Sequence, residues 1–200
     1  MAQGFVRPAR PEEADEIAQI QLGTWRIAYR RMLPPAVLDR LDPDWLAARW
    51  RAAVADPPSP RHRVLVAVEQ ADRTRLVGFA ASGPADPQAA APDEPAAPGP
   101  DTAAVTDLLV SPRWGRRGHG SRLLAASVEH WLADGFATAV AWVFEADPAT
   151  RSFLTSAGWE PDGARRALDV DDLLVPQLRL HTRLPEPGPD DRGAVAELRQ

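Results

Sequence analysis

No cysteine, lysine or asparagine occurs anywhere in the 200 residues. The missing cysteine excludes disulfides, thiolate nucleophiles and cysteine-bound metals. The missing lysine excludes a Walker phosphate loop and a Schiff base to pyridoxal phosphate, since both need that amine. All 23 basic residues are therefore arginine, set against 28 acids for a net charge of −5. Such a balance argues against a general nucleic-acid binder, which needs a basic face. Long apolar runs are missing too. The longest are strand-length, well short of the ~20 residues of a membrane helix. The opening MAQGFVRPARPEE lacks the apolar core of a signal peptide. A cytoplasmic protein with neither nucleic-acid nor membrane partner is the expectation. Abundant Ala, Arg and Pro beside absent Lys and Asn point to GC-rich codon usage rather than to function.

What is present reads as one α/β (α+β) domain over 1–184. Residues 84–101, PADPQAAAPDEPAAPGPD, hold six prolines and few large apolar groups. They are expected to form a disordered insertion, because they bury too little to offset their ordering entropy. The tail 185–200 reads the same way. Between these segments strands and helices alternate: a strand at 5–7, a helix over 12–31, and a break at Pro34-Pro35. A helix from Asp42-Pro43 to about Val54 follows, then strands at 63–69 and 75–82. After the insertion come a strand at 103–110, a helix over 119–133, a strand at 138–144, a helix over 148–157 and a strand at 177–184. The first helix carries two apolar stripes, Ile17-Ile20-Thr24-Ile27 and Leu22-Trp25-Tyr29, which predicts core on one side and a pocket on the other. Trp25, Tyr29, Trp45 and Trp50 are candidate pocket aromatics, with core packing the plainer reading of each tryptophan.

The most informative stretch is VTDLLVSPRWGRRGHGSRLL, a strand, a glycine-rich loop and a helix start. Gly115, Gly118 and Gly120 let the backbone approach a ligand closely. Amides at a helix N-terminus bind phosphate oxygens, and Arg116, Arg117 and Arg122 add positive charge. A glycine-rich turn with solvated arginines is the alternative. A dinucleotide fingerprint does not fit, because the third glycine is missing and the motif lies past the midpoint of the chain.

This loop, followed by a helix, a strand and DPATRSFLTSAGWEPDG, resembles the GNAT superfamily of acyl-CoA-dependent N-acetyltransferases. The resemblance covers about residues 5–184. It implies a mixed, mostly antiparallel central sheet flanked by helices, with the strands 103–110 and 138–144 splayed apart. It also implies acetyl-CoA as co-substrate and a primary amine of a small molecule as acceptor. A protein N-terminus and a non-catalytic acyl-CoA-binding module are the alternatives, and a homodimer is compatible with it. By the same resemblance Leu108, Leu109 and Val110 pair through their backbones with the pantetheine arm. Gly115, Arg116, Arg117, Gly118, His119, Gly120 and Ser121 hold the pyrophosphate, with Ser121 starting the helix. Asp147 stands where the family has an asparagine near the cofactor arm, and also reads as an N-cap.

The sequence departs from the family's pattern in three places. Gly115 takes a Gln/Arg position. Leu154 takes the place of the tyrosine that protonates the departing thiolate. The glutamate base of some members falls at Ala104 or Trp142. A thiol has a pKa near ~8.5, so the thiolate can still leave. Asp107 and Tyr29 are the candidate catalytic residues. Strand alternation sets Asp107 against Thr106 and Leu108, so a solvent-facing or arginine-paired carboxylate is its other reading. Tyr29 is alternatively a groove-wall aromatic. Glu145, Thr155 and Ser156 are weaker candidates. His119 is expected to pack in the loop or face solvent. The histidines at 62, 119, 130 and 181 lack metal spacing, Asp169, Asp171 and Asp172 form a solvated acidic loop, and no metal is expected.

Overall fold

A computed structural model of the chain describes residues 3–30, 32–70, 73–86 and 98–185. Most of the expected insertion and nearly all of the expected tail lie outside these residues. The described part is built on one seven-stranded sheet, in the order β1-β2-β3-β4-β5-β7-β6. The strands are β1 Gln3–Pro8, β2 Arg63–Gln70, β3 Thr74–Pro84, β4 Thr102–Val110, β5 Thr138–Phe144, β6 Glu160–Val170 and β7 Leu173–Arg183. Only β4 and β5 run parallel. The other neighbours are antiparallel.

Helix α1, Ala14–Ala28, and helix α3, Pro43–Ala55, cover one face of β1–β4. Helix α4, His119–Ala133, and helix α5, Pro148–Ser156, cover the other face. Strand β2 shows why both coverings are needed. Val66 and Val68 pack on the α1 side and Leu65 and Ala67 on the α4 side, so both faces are apolar. The helix starts follow cap chemistry. The Asp42 carboxylate accepts from the Asp44 amide, and Asp147 accepts from the Ala149 and Thr150 amides. Gly135 and Gly158, at φ +78° and +85°, end the helices before β5 and β6.

Several expectations are corrected. The first helix is shorter than 12–31. A 3-10 turn at Pro11–Glu13 precedes it, with Glu13 accepting from the Arg10 amide and pairing with Arg7. Ile27 does not join the buried stripe, being 56% exposed. The break at Pro34-Pro35 holds a short helix α2, Pro35–Asp39, for which proline at the first helical position is well suited. The edges of the expected insertion are ordered. Strand β3 runs to Pro84, and the Ala85 amide donates to the Thr102 carbonyl.

Strand β6 was not expected. Its register breaks between Pro161 and Arg165 around Gly163, at φ +91°, which hides the alternation. The acidic loop is the tip of the β6–β7 hairpin. Asp171 and Asp172 take φ of 58° and 65° there, the left-handed pair that a tight hairpin turn needs.

Candidate functional site

Strands β4 and β5 pair from Thr102↔Thr138 to Val105↔Ala141 and no further. Beyond that point β4 continues to Val110 and β5 to Phe144. The edge of β4 at 106–110 therefore faces a gap instead of a partner strand. A cleft of about 660 Å³ runs through this gap. One mouth lies by α4 and α5, the other by α1, α2 and the β6–β7 hairpin. Leu108, Leu109 and Val110 line it, with backbone groups that an extended chain could pair as an added strand does.

The loop after β4 opens on the first mouth. Gly118 is the N-cap of α4 at φ +79°, a conformation that costs a side-chain-bearing residue, and Arg116 sits at φ +61°. Gly115 and Gly120 have no such need. A Cβ on Gly120 would meet the Phe153 ring at 3.4 Å, so Gly120 keeps the cleft wall open next to α5. The first turn of α4 has no side-chain cap, and its residues border this mouth, which suits the oxygens of a pyrophosphate. Gly115, Arg116, Gly118, His119, Gly120 and Ser121 all line the cleft.

Arg117 and Ser121 differ from expectation, and His119 packs within the loop, one of the two readings expected of it. Arg117 does not line the cleft, because its guanidinium lies 4.8 Å over the Trp114 ring. His119 is almost fully buried, with Nε2 3.3 Å from a carboxylate oxygen of Glu69 on β2. Burial and the Arg122 charge hold its pKa below the usual histidine range, so it contributes its backbone and not a cation. The helix starts at His119, which puts Ser121 inside its first turn.

Asp107 sits where the gap begins, and a β-bulge aims it. Ala81 pairs with Asp107 and Ser82 with Val105, which leaves Thr106 as the extra residue. The bulge reverses the facing of the strand. Val105 packs toward α4, whereas Asp107 turns to the α1 side and accepts a hydrogen bond from Gln21 Nε2 at 3.3 Å. Simple alternation would have put both on one face. The Gln21 carbonyl oxygen in turn accepts from Trp50 Nε1 at 2.8 Å, so the amide is oriented from both ends.

Burial pushes the Asp107 pKa up to about 6; the Arg49 charge and the Gln21 hydrogen bond oppose it only in part. That is a carboxylate poised to exchange a proton near neutral pH. Gln21→Leu removes a bond to the ionised form. The acid limb of the pH–rate profile should then move to higher pH, with the KM for acetyl-CoA unchanged. An unmoved limb would disconnect Gln21 from Asp107.

Tyr29 caps α1 and stands edge-on to Phe144 of β5, with ring centroids 5.0 Å apart. Burial, then the charges of Asp147 and Asp107, raise its pKa well above the ordinary phenol value, so the hydroxyl stays protonated. It lines the cleft with Trp25, which fits the second stripe of α1 facing a pocket. Leu154 is 3% exposed and belongs to the core beneath α5, reaching the cleft only as floor. Asp147 also lines the cleft. Its carboxylate is occupied as a cap, accepting two amides and the Thr150 hydroxyl at 2.6 Å. Thr155 and Ser156 are exposed, Ser156 bonding to the Phe153 carbonyl, and Glu145 pairs with Arg165.

Of the other aromatics, Trp45 is 58% exposed under Arg49, and Trp50 is core against Phe79. A second cavity of about 490 Å³ adjoins the cleft on the α1 side and shares Asp107, Trp142 and Gln177 with it. Arg49 and His62 also line it. Sequence reasoning missed this chamber, because Arg166 comes from β6, which it did not foresee.

The profile of the acetyltransferase (GNAT) family matches residues 21–159, well over half of the chain. An uncharacterized N-acetyltransferase, YuaI of Bacillus subtilis (strain 168), is 28% identical over 144 residues, covering 72% of this chain and 73% of that one. Among solved structures, the PaiA N-acetyltransferase of Thermoplasma acidophilum, in complex with coenzyme A, superposes with a TM-score of 0.64 at 13% identity. That match covers 90% of this chain and 99% of the other. The ribosomal-protein-S18-alanine N-acetyltransferase of Escherichia coli gives 0.57 at 14% identity, over 94% and 98%. The splayed strands, the loop at the start of α4 and the family match agree: the chain belongs to the GNAT family and is an acetyltransferase that takes acetyl-CoA as co-substrate.

Proposed function

We propose that the protein acetylates the primary amine of a small molecule by direct attack on the thioester, with no covalent enzyme intermediate. The observation that carries this reading is the place of Asp107. It lies where the cleft and the chamber meet, at the start of the gap, facing the side opposite the α4 loop. Donor and acceptor then approach from opposite faces of the sheet and meet beside a carboxylate. Holding two reactants in this way is worth up to ~7–11 kcal/mol.

The Asp107 carboxylate draws the ammonium group in and takes its surplus proton, directly or through one water. The amine nitrogen forms the C–N bond as the C–S bond breaks. The Tyr29 hydroxyl donates a hydrogen bond to the departing sulfur, which leaves as a thiolate and takes its proton from solvent, so Tyr29 steadies the charge in the place where Leu154 cannot. Gly118, Gly120 and the first amides of α4 hold the pyrophosphate, with Arg116 nearest in charge. Asp147 fixes the start of α5 beside the cofactor arm. The capping bonds argue against a direct contact from its side chain. Both walls of the gap come from one chain, so the reading needs no second copy, and residues 1–184 act as one domain in the cytoplasm.

Tyr29→Phe keeps the ring contacts with Phe144 and Trp25 and removes only the hydroxyl. Its kcat should fall about tenfold to a hundredfold, the worth of a hydrogen bond to a charged acceptor, while KM for acetyl-CoA stays within twofold. An unchanged kcat would leave Tyr29 a wall aromatic. The small-molecule reading itself is tested by following thiol release with free amines and with peptide N-termini. Turnover confined to peptides would overturn it.

A further inference from the structure

We infer that the acceptor is a primary amine with an apolar body, aromatic or branched aliphatic, seated at the α1–α2 mouth of the cleft; this rests on the reading of the gap as an amine-acetylating site. The two mouths differ in chemistry. The loop mouth carries Arg116 and the amides of α4. The other is walled by Trp25, Leu33, Val37, Leu41, Leu168 and Val170. Among the described residues no arginine or histidine lines that second mouth. The basic side chains on the cleft, Arg116 and His119, both belong to the loop. The charged side chains that line the cleft outside the loop are two carboxylates, Asp107 at the inner end and the cap Asp147. Such a site attracts a cation at its base and apolar surface above it, and offers nothing to a carboxylate or a phosphate on the acceptor.

A second observation points the same way. Two exposed large apolar side chains lie on the hairpin face that forms this rim: Leu168, 42% exposed, and Leu173, 38% exposed and paired across from Val170. Apolar surface gathered beside a cleft marks a binding rim rather than ordinary scatter. The exposed Arg40–Asp171 ion pair, at 2.5 Å, shows that the end of α2 adjoins the hairpin tip, so the two walls of the mouth meet there. The chamber beyond Asp107, with Arg49 and His62, is the contrasting site and would suit an anionic acceptor.

The test is steady-state thiol release with phenethylamine and isoamylamine against spermidine and glutamate. The apolar amines should show kcat/KM at least tenfold higher than either polar one. Val37→Asp, on the wall of the mouth and away from the cofactor loop, should raise KM for phenethylamine at least tenfold and leave KM for acetyl-CoA within twofold. A preference for glutamate would move the acceptor to the chamber. A preference for spermidine, or an unaffected Val37→Asp, would also overturn the inference. So would a preference for hexanoyl-CoA over acetyl-CoA with no discrimination among amines, since the apolar wall would then belong to the acyl chain. Calorimetry of phenethylamine with the CoA-loaded protein separates the two levels. Saturable binding that Val37→Asp abolishes, without thiol release from any amine, sinks the small-molecule acetylation reading and the acceptor role with it, and leaves the mouth a binding site for apolar amines. Absence of binding sinks the inference.

Discussion

Gly120→Glu should abolish acetyl-CoA binding while leaving the fold intact. Gly120 sits in the first turn of α4, where a Cβ would already touch the Phe153 ring at 3.4 Å. A longer side chain has to turn out of that contact and into the mouth of the cleft. There a glutamate carboxylate meets the charge that the helix amides are placed to hold. Two like charges about 4 Å apart at an effective dielectric of about 20 repel by roughly 4 kcal/mol, which is close to a thousandfold in Kd. The backbone of Gly120 is helical and its φ is not in the left-handed region, so the substitution adds no backbone strain. Gly120→Ala is the control and should bind within a few-fold of the wild type. Calorimetry with acetyl-CoA, beside a thermal melt, checks both. Wild-type affinity in Gly120→Glu would remove the pyrophosphate from this loop.

Asp107→Asn should lower kcat/KM by about 10²–10³-fold, within the range of a lost general base, and stabilise the protein at the same time. The side-chain shape is kept, and the asparagine oxygen can still accept from Gln21. What is lost is a charge held near the start of the gap. The folded-state pKa of Asp107 is raised to about 6 from an ordinary 3.8. The folded state therefore holds its proton more tightly than the unfolded chain. That contribution to stability is present at low pH and lost as the pH climbs through about 6. A shift of about two units is worth about 2 kcal/mol after allowance for partial solvent screening. Urea melts should show Asp107→Asn about 2 kcal/mol more stable than wild type at pH 8 and equal to it at pH 3. The acid limb near pH 6 in kcat/KM should disappear with the carboxylate. Loss of activity with no stability gain would mean the carboxylate is compensated by a partner, and a retained limb would assign it to another group.

The cap residues made much of the fold legible. Asp42-Pro43, Asp147-Pro148, Gly135 and Gly158 fix helix ends by local chemistry, and the structure places those ends within a residue or two of expectation. Strand β2 was readable because its two apolar faces alternate without interruption. Strand β6 was not, because Pro161 and the left-handed Gly163 break its period and its edge position leaves one side polar. The cofactor loop is a contiguous motif, so its sequence carries it. Its internal division is not local. Whether His119 points to the ligand or to Glu69, and whether Arg117 reaches the cleft or covers Trp114, depends on β2 and on an aromatic three residues upstream.

Asp107 illustrates the limit most clearly. Its facing depends on a bulge at Thr106 created by pairing with β3, and its ionisation on burial in the assembled fold, opposed by Arg49 and by Gln21, 86 residues away in sequence. Period counted from Val105 puts Asp107 on the wrong face, whereas period counted from Leu108, which packs toward α4, puts it on the right one. Tyr29 was recognisable as part of a second stripe on α1. Its meeting with Phe144 and Asp147 needed the tertiary fold. The residue at 154 could be compared with a family pattern, but only the packing shows that Leu154 is core.

Mass-spectrometric analysis of the products formed from acetyl-CoA and a panel of free amines tests the account most directly. The account predicts an N-acetylated amine formed in equal amount to free CoA, most of it from an apolar amine, with Asp107→Asn cutting both products together. Thiol released no faster than in buffer alone, with no acetylated amine from any member of the panel, would contradict it.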